Sequence, residues 1–88
     1  MRHATPAALD QLETLLTQLR AFDGLKEKSR GTFYRGSKAF LHFHEDPAGM
    51  FADVRLQDDF ERLRVSTKTE QAALVRKVRS ALRATGAP

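Results

Sequence analysis

The amino-acid sequence predicts an α+β fold: a two-layer sandwich in the order α-β-β-β-β-α, with a four-stranded antiparallel meander and both helices on one face. Three observations predict it. Leucines recur at helical spacing from Leu9 to Leu19, and a second helical stripe runs from Leu74 to Leu82. Between them, short alternating segments from Thr32 to Val65 are separated by tight turns, as in a meander of hairpins. With 88 residues, the chain has material for one helix layer on one sheet, and it reads as a single domain over residues 1–88.

The first helix begins at Thr5-Pro6, where Thr can cap free N–H groups and Pro at the first helical position gives up no hydrogen bond. Leu9, Leu12, Leu16 and Leu19 form its buried stripe, widened by Leu15 and Phe22. It is expected to run to about Phe22 and to close at Asp23-Gly24, with Gly24 left-handed. Leu25 to Arg30 is charged and aperiodic, a connection that enters the first strand.

Thr32–Arg35 and Lys38–Glu45 flank Gly36-Ser37, a Gly-first loop that fits a type II′ hairpin. Asp46-Pro47-Ala48-Gly49 is the next turn and leads into a strand at Met50–Leu56. With Glu45 and Met50 closing that loop, His44 faces Phe51, His42 faces Asp53, Leu41 faces Val54 and Phe40 faces Arg55. A turn at Asp58-Asp59 leads to the last strand, Phe60–Val65. Its expected register sets Leu63 beside Val54, Val65 beside Ala52, Arg64 beside Asp53 and Arg62 beside Arg55. Thr67-Lys68-Thr69-Glu70 matches a capping box, so the second helix runs from about Lys68 to Ala84 and ends in Thr85-Gly86-Ala87-Pro88. Leu74, Val75, Val78 and Leu82 are its core positions.

This alternation leaves Phe33, Phe40, His42, His44, Phe51, Asp53, Arg55, Arg62 and Arg64 on the sheet face away from the helices. That face is the candidate binding face. A protein or self-association interface, giving a homodimer, is the preferred reading, because exposed aromatics interleaved with Arg are typical of surfaces covered by association. Single-stranded nucleic acid is a second reading, since bases stack on rings while phosphates meet cations, and the net charge of +4 favours anionic partners. The third is a metal or small-ligand site at His42, His44 and Asp53. The spacing alone favours a half-exposed His pair with Asp53 in ion pairs over a metal, so no cofactor is expected.

Other chemistry finds less footing. The chain lacks cysteine, which excludes disulfide and thiolate-metal frameworks and is compatible with the cytosol. Neither Ser37 nor Ser66 stands in an activating context, and Gly31, Gly36 and Gly49 are isolated rather than arranged as a phosphate loop. His42 oriented by Asp53 could act as a general base, but the reading as a whole is a non-enzymatic binding module. Lys68, Arg76, Arg79 and Arg83 along the second helix read as a solvated basic flank. With 41% hydrophobic and 30% charged residues the chain should fold, and no apolar run or leader-like segment marks it for a membrane, so a soluble cytoplasmic protein is expected.

The order helix, Gly24, hairpin, further strands and helix, together with Gly36-Ser37-Lys38-Ala39-Phe40, resembles the YjbR/MmcQ-like family of small bacterial α+β proteins. That resemblance implies a compact α+β domain from a largely uncharacterised family for which DNA binding has been proposed from the fold. Phe40-Leu41-His42-Phe43-His44 through Gly49 is also similar to a short piece of the luciferase-like domain family. Neither resemblance assigns a role to any residue of this chain.

Overall fold

The computed structural model describes residues 1–86. Its elements are β1 (Arg2–His3), α1 (Pro6–Gln11), α2 (Glu13–Arg20), β2 (Lys26–Ser29), β3 (Thr32–Arg35), β4 (Lys38–Asp46), β5 (Gly49–Val54), β6 (Glu61–Arg64) and α3 (Lys68–Gly86). The class is α+β with an antiparallel sheet, but the sheet has six strands rather than four. The path runs β2-β3-β4-β5-β6, and β1 pairs with β4 off that path. The strand β4 is long enough to serve two partners along one edge: β3 pairs with it up to Leu41, and β1 takes over at His44 and Glu45. The short β1 thus covers backbone that would otherwise be an open sheet edge.

The N-terminal helix is divided. Thr5 Oγ1 accepts from the Ala8 N–H at 3.3 Å, and Pro6 opens α1 as its position requires. At Leu12 (φ −97°, ψ 7°) the chain leaves helical geometry, with the Leu12 N–H bonded to Leu9 O at 3.0 Å, three residues back. The leucine stripe survives the break, since Leu12, Leu15, Leu16 and Leu19 are all fully buried. The expected ending at Gly24 is not what forms. α2 stops at Arg20, and short-range bonds from Ala21 to Gln18 O (3.3 Å) and from Phe22 to Leu19 O (3.2 Å) satisfy the last carbonyls, while Gly24 keeps an ordinary φ.

The hairpins follow the turn chemistry. Gly36 has φ +61°, the positive value needed at the first loop position of a type II′ turn. Asp46 Oδ1 accepts from the Ala48 N–H at 2.7 Å, and Asp46 itself pairs with Gly49, so the loop between β4 and β5 is Pro47-Ala48 alone. From Leu41 to Glu45 the β4–β5 register is the expected one, including His42 opposite Asp53 and His44 opposite Phe51.

Two expectations about the strands are corrected. The pairing of β3 with β4 shifts between Phe33↔Leu41 and Tyr34↔Ala39, which leaves Phe40 as the extra residue of a β-bulge. The bulge turns both Phe40 and Leu41 inward, and it sets Phe33 opposite Leu41. Phe33 (0% exposed) and Phe40 (2%) are therefore core residues and not part of the open face. On the other side, β6 sits two residues from its expected place: Leu63 pairs with Ala52, Arg62 with Asp53 and Arg64 with Phe51. A slip of two preserves which side chains face inward, so alternation cannot detect it. Arg62 is consequently opposite Asp53 and not Arg55.

The core joins Leu12, Leu15, Leu16 and Leu19 to Phe33, Phe40, Leu41, Phe43, Ala52, Val54 and Val65, with Leu74, Val75 and Val78 of α3 closing it. No polar residue is buried within it. The capping box is formed: Glu70 Oε1 accepts from the Thr67 N–H at 2.9 Å, and Thr67 Oγ1 from the Glu70 N–H at 3.1 Å. The expected terminating stretch of α3 includes Ala87 and Pro88, which lie outside the described residues. No described helix is long and apolar enough to cross a membrane.

Candidate functional site on the outer sheet face

The outer face carries a cluster built from three adjacent strands. On β4, His42 and His44 are two residues apart, so the pleat sends both imidazoles to the same side. Asp53 of β5 lies directly opposite His42, and Arg62 of β6 directly opposite Asp53. The His42 and His44 rings are 4.8 Å apart between centroids in an edge-on arrangement. His44 Nε2 lies 3.1 Å from Asp53 Oδ2, and His42 Nε2 lies 3.6 Å from the same oxygen.

Arg62 sets the carboxylate. Its Nε and Nη2 donate to Asp53 Oδ1 (2.7 Å) and Oδ2 (2.8 Å), a bidentate pairing that fixes the plane of the group. The Arg62 hydrogen bonds hold the Asp53 carboxyl below its usual range, against the opposing effect of burial. Asp53 is therefore an anion at neutral pH. Burial lowers the pKa of His42, and His44, His3 and Arg62 push it the same way while Asp53 opposes them. His42 is accordingly neutral at pH 7, the form in which an imidazole nitrogen can donate its lone pair.

His44 is the most enclosed of the imidazoles, with 13% of its side chain exposed against 26% for His42. Despite its closeness to Asp53, His44 Nε2 is not aligned for a hydrogen bond, and among the described residues this buried nitrogen has no hydrogen-bond partner. One donor atom from each of His42, His44 and Asp53 lies within 4.8 Å of the others, a grouping that could hold a metal ion.

The sequence reading missed two members of the neighbourhood. His3, carried by β1 opposite His44, places its ring 4.8 Å from that of His44 and 5.9 Å from that of His42. All three histidines of the chain therefore meet in one place. Phe60 packs edge-on to His42 at 5.3 Å, with the Arg55 guanidinium 4.4 Å above its ring. A two-residue strand such as Arg2-His3 has no period to read, so only the small number of histidines hinted that His3 belongs here.

The remaining expected face residues are engaged structurally. Arg55 donates from Nε to Ala39 O (3.1 Å) and from Nη1 to Asp58 O (3.2 Å), which braces the loop before β6. Arg64 reaches the Pro47-Ala48 turn, donating to Ala48 O at 3.1 Å. Phe51 is half-buried beside His44 on the same face. No protein-family model, curated protein or solved structure matches the chain.

Proposed function

We propose that this domain binds one divalent transition-metal ion on its outer sheet face through His42, His44 and Asp53. The observation that carries the reading is donor spacing. Ligands about 2.0–2.2 Å from a tetrahedral ion stand roughly 3.3–3.6 Å from one another; the two distances from Asp53 Oδ2 to the imidazole nitrogens are 3.1 and 3.6 Å, and the three donor atoms together lie within 4.8 Å, so the two imidazoles close by side-chain rotation to share an ion. The unpartnered His44 Nε2 gives that nitrogen a use, since a buried polar atom without a hydrogen bond is destabilising. Arg62 acts behind the ligands by orienting the carboxylate, as outer partners do in metal sites. Two imidazoles and one carboxylate favour zinc, iron(II), nickel or copper over calcium or magnesium, which prefer oxygen donors.

The interface reading has a narrower basis than the sequence offered. With Phe33 and Phe40 in the core, Phe51 alone remains of the three phenylalanines expected on this face, joined by Phe60. Stacking platforms for single-stranded nucleic acid are reduced in the same way.

Elemental analysis of untagged protein, loaded with zinc and dialysed, tests the proposal. One equivalent is expected in the wild type and none in a His42→Ala/His44→Ala double variant that keeps its circular dichroism spectrum. Equal and substoichiometric metal in both proteins would overturn it.

A further inference from the structure

We propose that His3 is a fourth ligand of this ion, so that metal binding fastens β1 to the sheet. The inference rests on the three-ligand reading above and extends it to a residue on a different element. His3 and His44 are directly opposed in an antiparallel pair, so their side chains leave the same face with neighbouring Cβ atoms. That side is set by backbone pairing and does not depend on a ring rotamer. The His3 ring already lies against both proposed imidazole ligands, 4.8 Å from His44 and 5.9 Å from His42. His3 is not among the donor atoms that already converge, so its ring has to turn for a nitrogen to reach the ion.

The attachment of β1 shows what a fourth bond would add. Two residues make up this strand, and both are exposed. Its neighbourhood is held by the Ala4 N–H on Phe43 O (3.1 Å), the Thr5 N–H on Glu45 Oε1 (3.0 Å) and an Arg2–Glu45 ion pair at 3.5 Å. An exposed ion pair of this kind contributes little. A metal bond from His3 joins β1 to β4 and β5 at one point, and changes the centre from three protein ligands with an open position to a closed three-nitrogen, one-oxygen set. The site so completed is a structural clamp of the zinc type. With His3 withdrawn, the same ion keeps a vacant position for solvent or a small anion.

Cobalt(II) is the probe, because its visible bands are intense when four-coordinate and weak when five- or six-coordinate. Wild-type protein is expected to take up one equivalent with the intense spectrum, and cobalt should slow hydrogen exchange at the Ala4 amide. His3→Ala is expected to keep one equivalent, shift the cobalt bands in position as solvent replaces an imidazole nitrogen, and bind zinc at least about tenfold more weakly, the lower end of the loss that even outer-shell partners produce. Arg2→Ala loosens β1 without removing a ring nitrogen and is expected to keep the wild-type spectrum. If His3→Ala matches wild type in spectrum and affinity, His3 is not a ligand and the three-residue site stands without it. If Arg2→Ala shifts the bands as His3→Ala does, the role of His3 is to hold β1, and the ligand assignment is overturned. Failure of wild-type protein to bind cobalt or zinc removes the metal reading itself.

Discussion

Replacing Phe40 by alanine separates the core that this fold uses from the one that simple alternation would build. Phe40 is 2% exposed at the β3–β4 bulge and packs in the same cluster as Phe33, Leu41 and the leucines of α1 and α2. Truncating a phenylalanine at such a position costs about 3–5 kcal/mol, the transfer term plus the cavity left behind. For an 88-residue domain, a total stability of roughly 4–13 kcal/mol is ordinary, so much of the margin is at stake. With a urea m-value of about 1–2 kcal/mol/M for a small domain, the midpoint should fall by about 1.5–5 M, or the protein should be unfolded in buffer. Phe40→Leu is the graded variant, expected to fold with a smaller loss in the same direction. Urea titrations followed by far-ultraviolet circular dichroism measure both. The contrast is Phe60→Ala, at a ring 38% exposed, where about 1 kcal/mol or less is expected from the lost contact with Arg55. A Phe40→Ala midpoint within about 0.5 M of wild type would place that side chain on the open face, where substitutions shift stability by about 0.5 kcal/mol or less, and would refute the bulge.

Two further outcomes follow from particular contacts. Gly31→Ala is expected to cost about 2 kcal/mol or more, because Gly31 has φ +81° and its new Cβ would stand 2.7 Å from Leu9 Cδ2; thermal unfolding gives the number, and an unchanged Tm would contradict the geometry. Glu27 supplies a pH dependence. Burial pushes its carboxyl up, but hydrogen bonds from Arg20 and from the Gly31 N–H outweigh burial and leave its pKa below the ordinary 4.5. A depressed carboxylate contributes stability above its unfolded pKa and loses it as pH falls through the folded one. Wild type should therefore lose stability below about pH 4.5 more steeply than Glu27→Gln, and parallel curves from pH 6 to pH 3 would show that Glu27 is not the cause.

Much of the outer-face cluster was legible because β4 and β5 obey two simple constraints at once. The Pro47-Ala48 loop sets the register, and Leu41, Phe43, Ala52 and Val54 bury only in that parity, which brings His42 and His44 beside Asp53. What escaped has physical reasons. Phe40-Leu41 are consecutive apolar residues on one strand, which is compatible with either alternation or a bulge, and only packing under α1 and α2 chooses the bulge. The β6 register shifts by two with no change of face, so the hydrophobic pattern is the same before and after, yet the shift exchanges Arg64 for Arg62 as the partner of Asp53. Lys26–Ser29 is an edge strand with no buried side chain, and Arg2–His3 is too short for a period. Leu12 interrupts the helix while remaining in the leucine stripe, so the spacing conceals the break.

The most direct measurement of the proposed metal site is the ring-nitrogen NMR spectrum of histidines in uniformly 15N-labelled protein during zinc addition at neutral pH. Nε2 of His42 and Nε2 of His44, the nitrogens that face Asp53 Oδ2, should shift together to metal-bound positions and stop changing at one equivalent. Ring nitrogens that remain at their metal-free shifts through excess zinc would contradict the site.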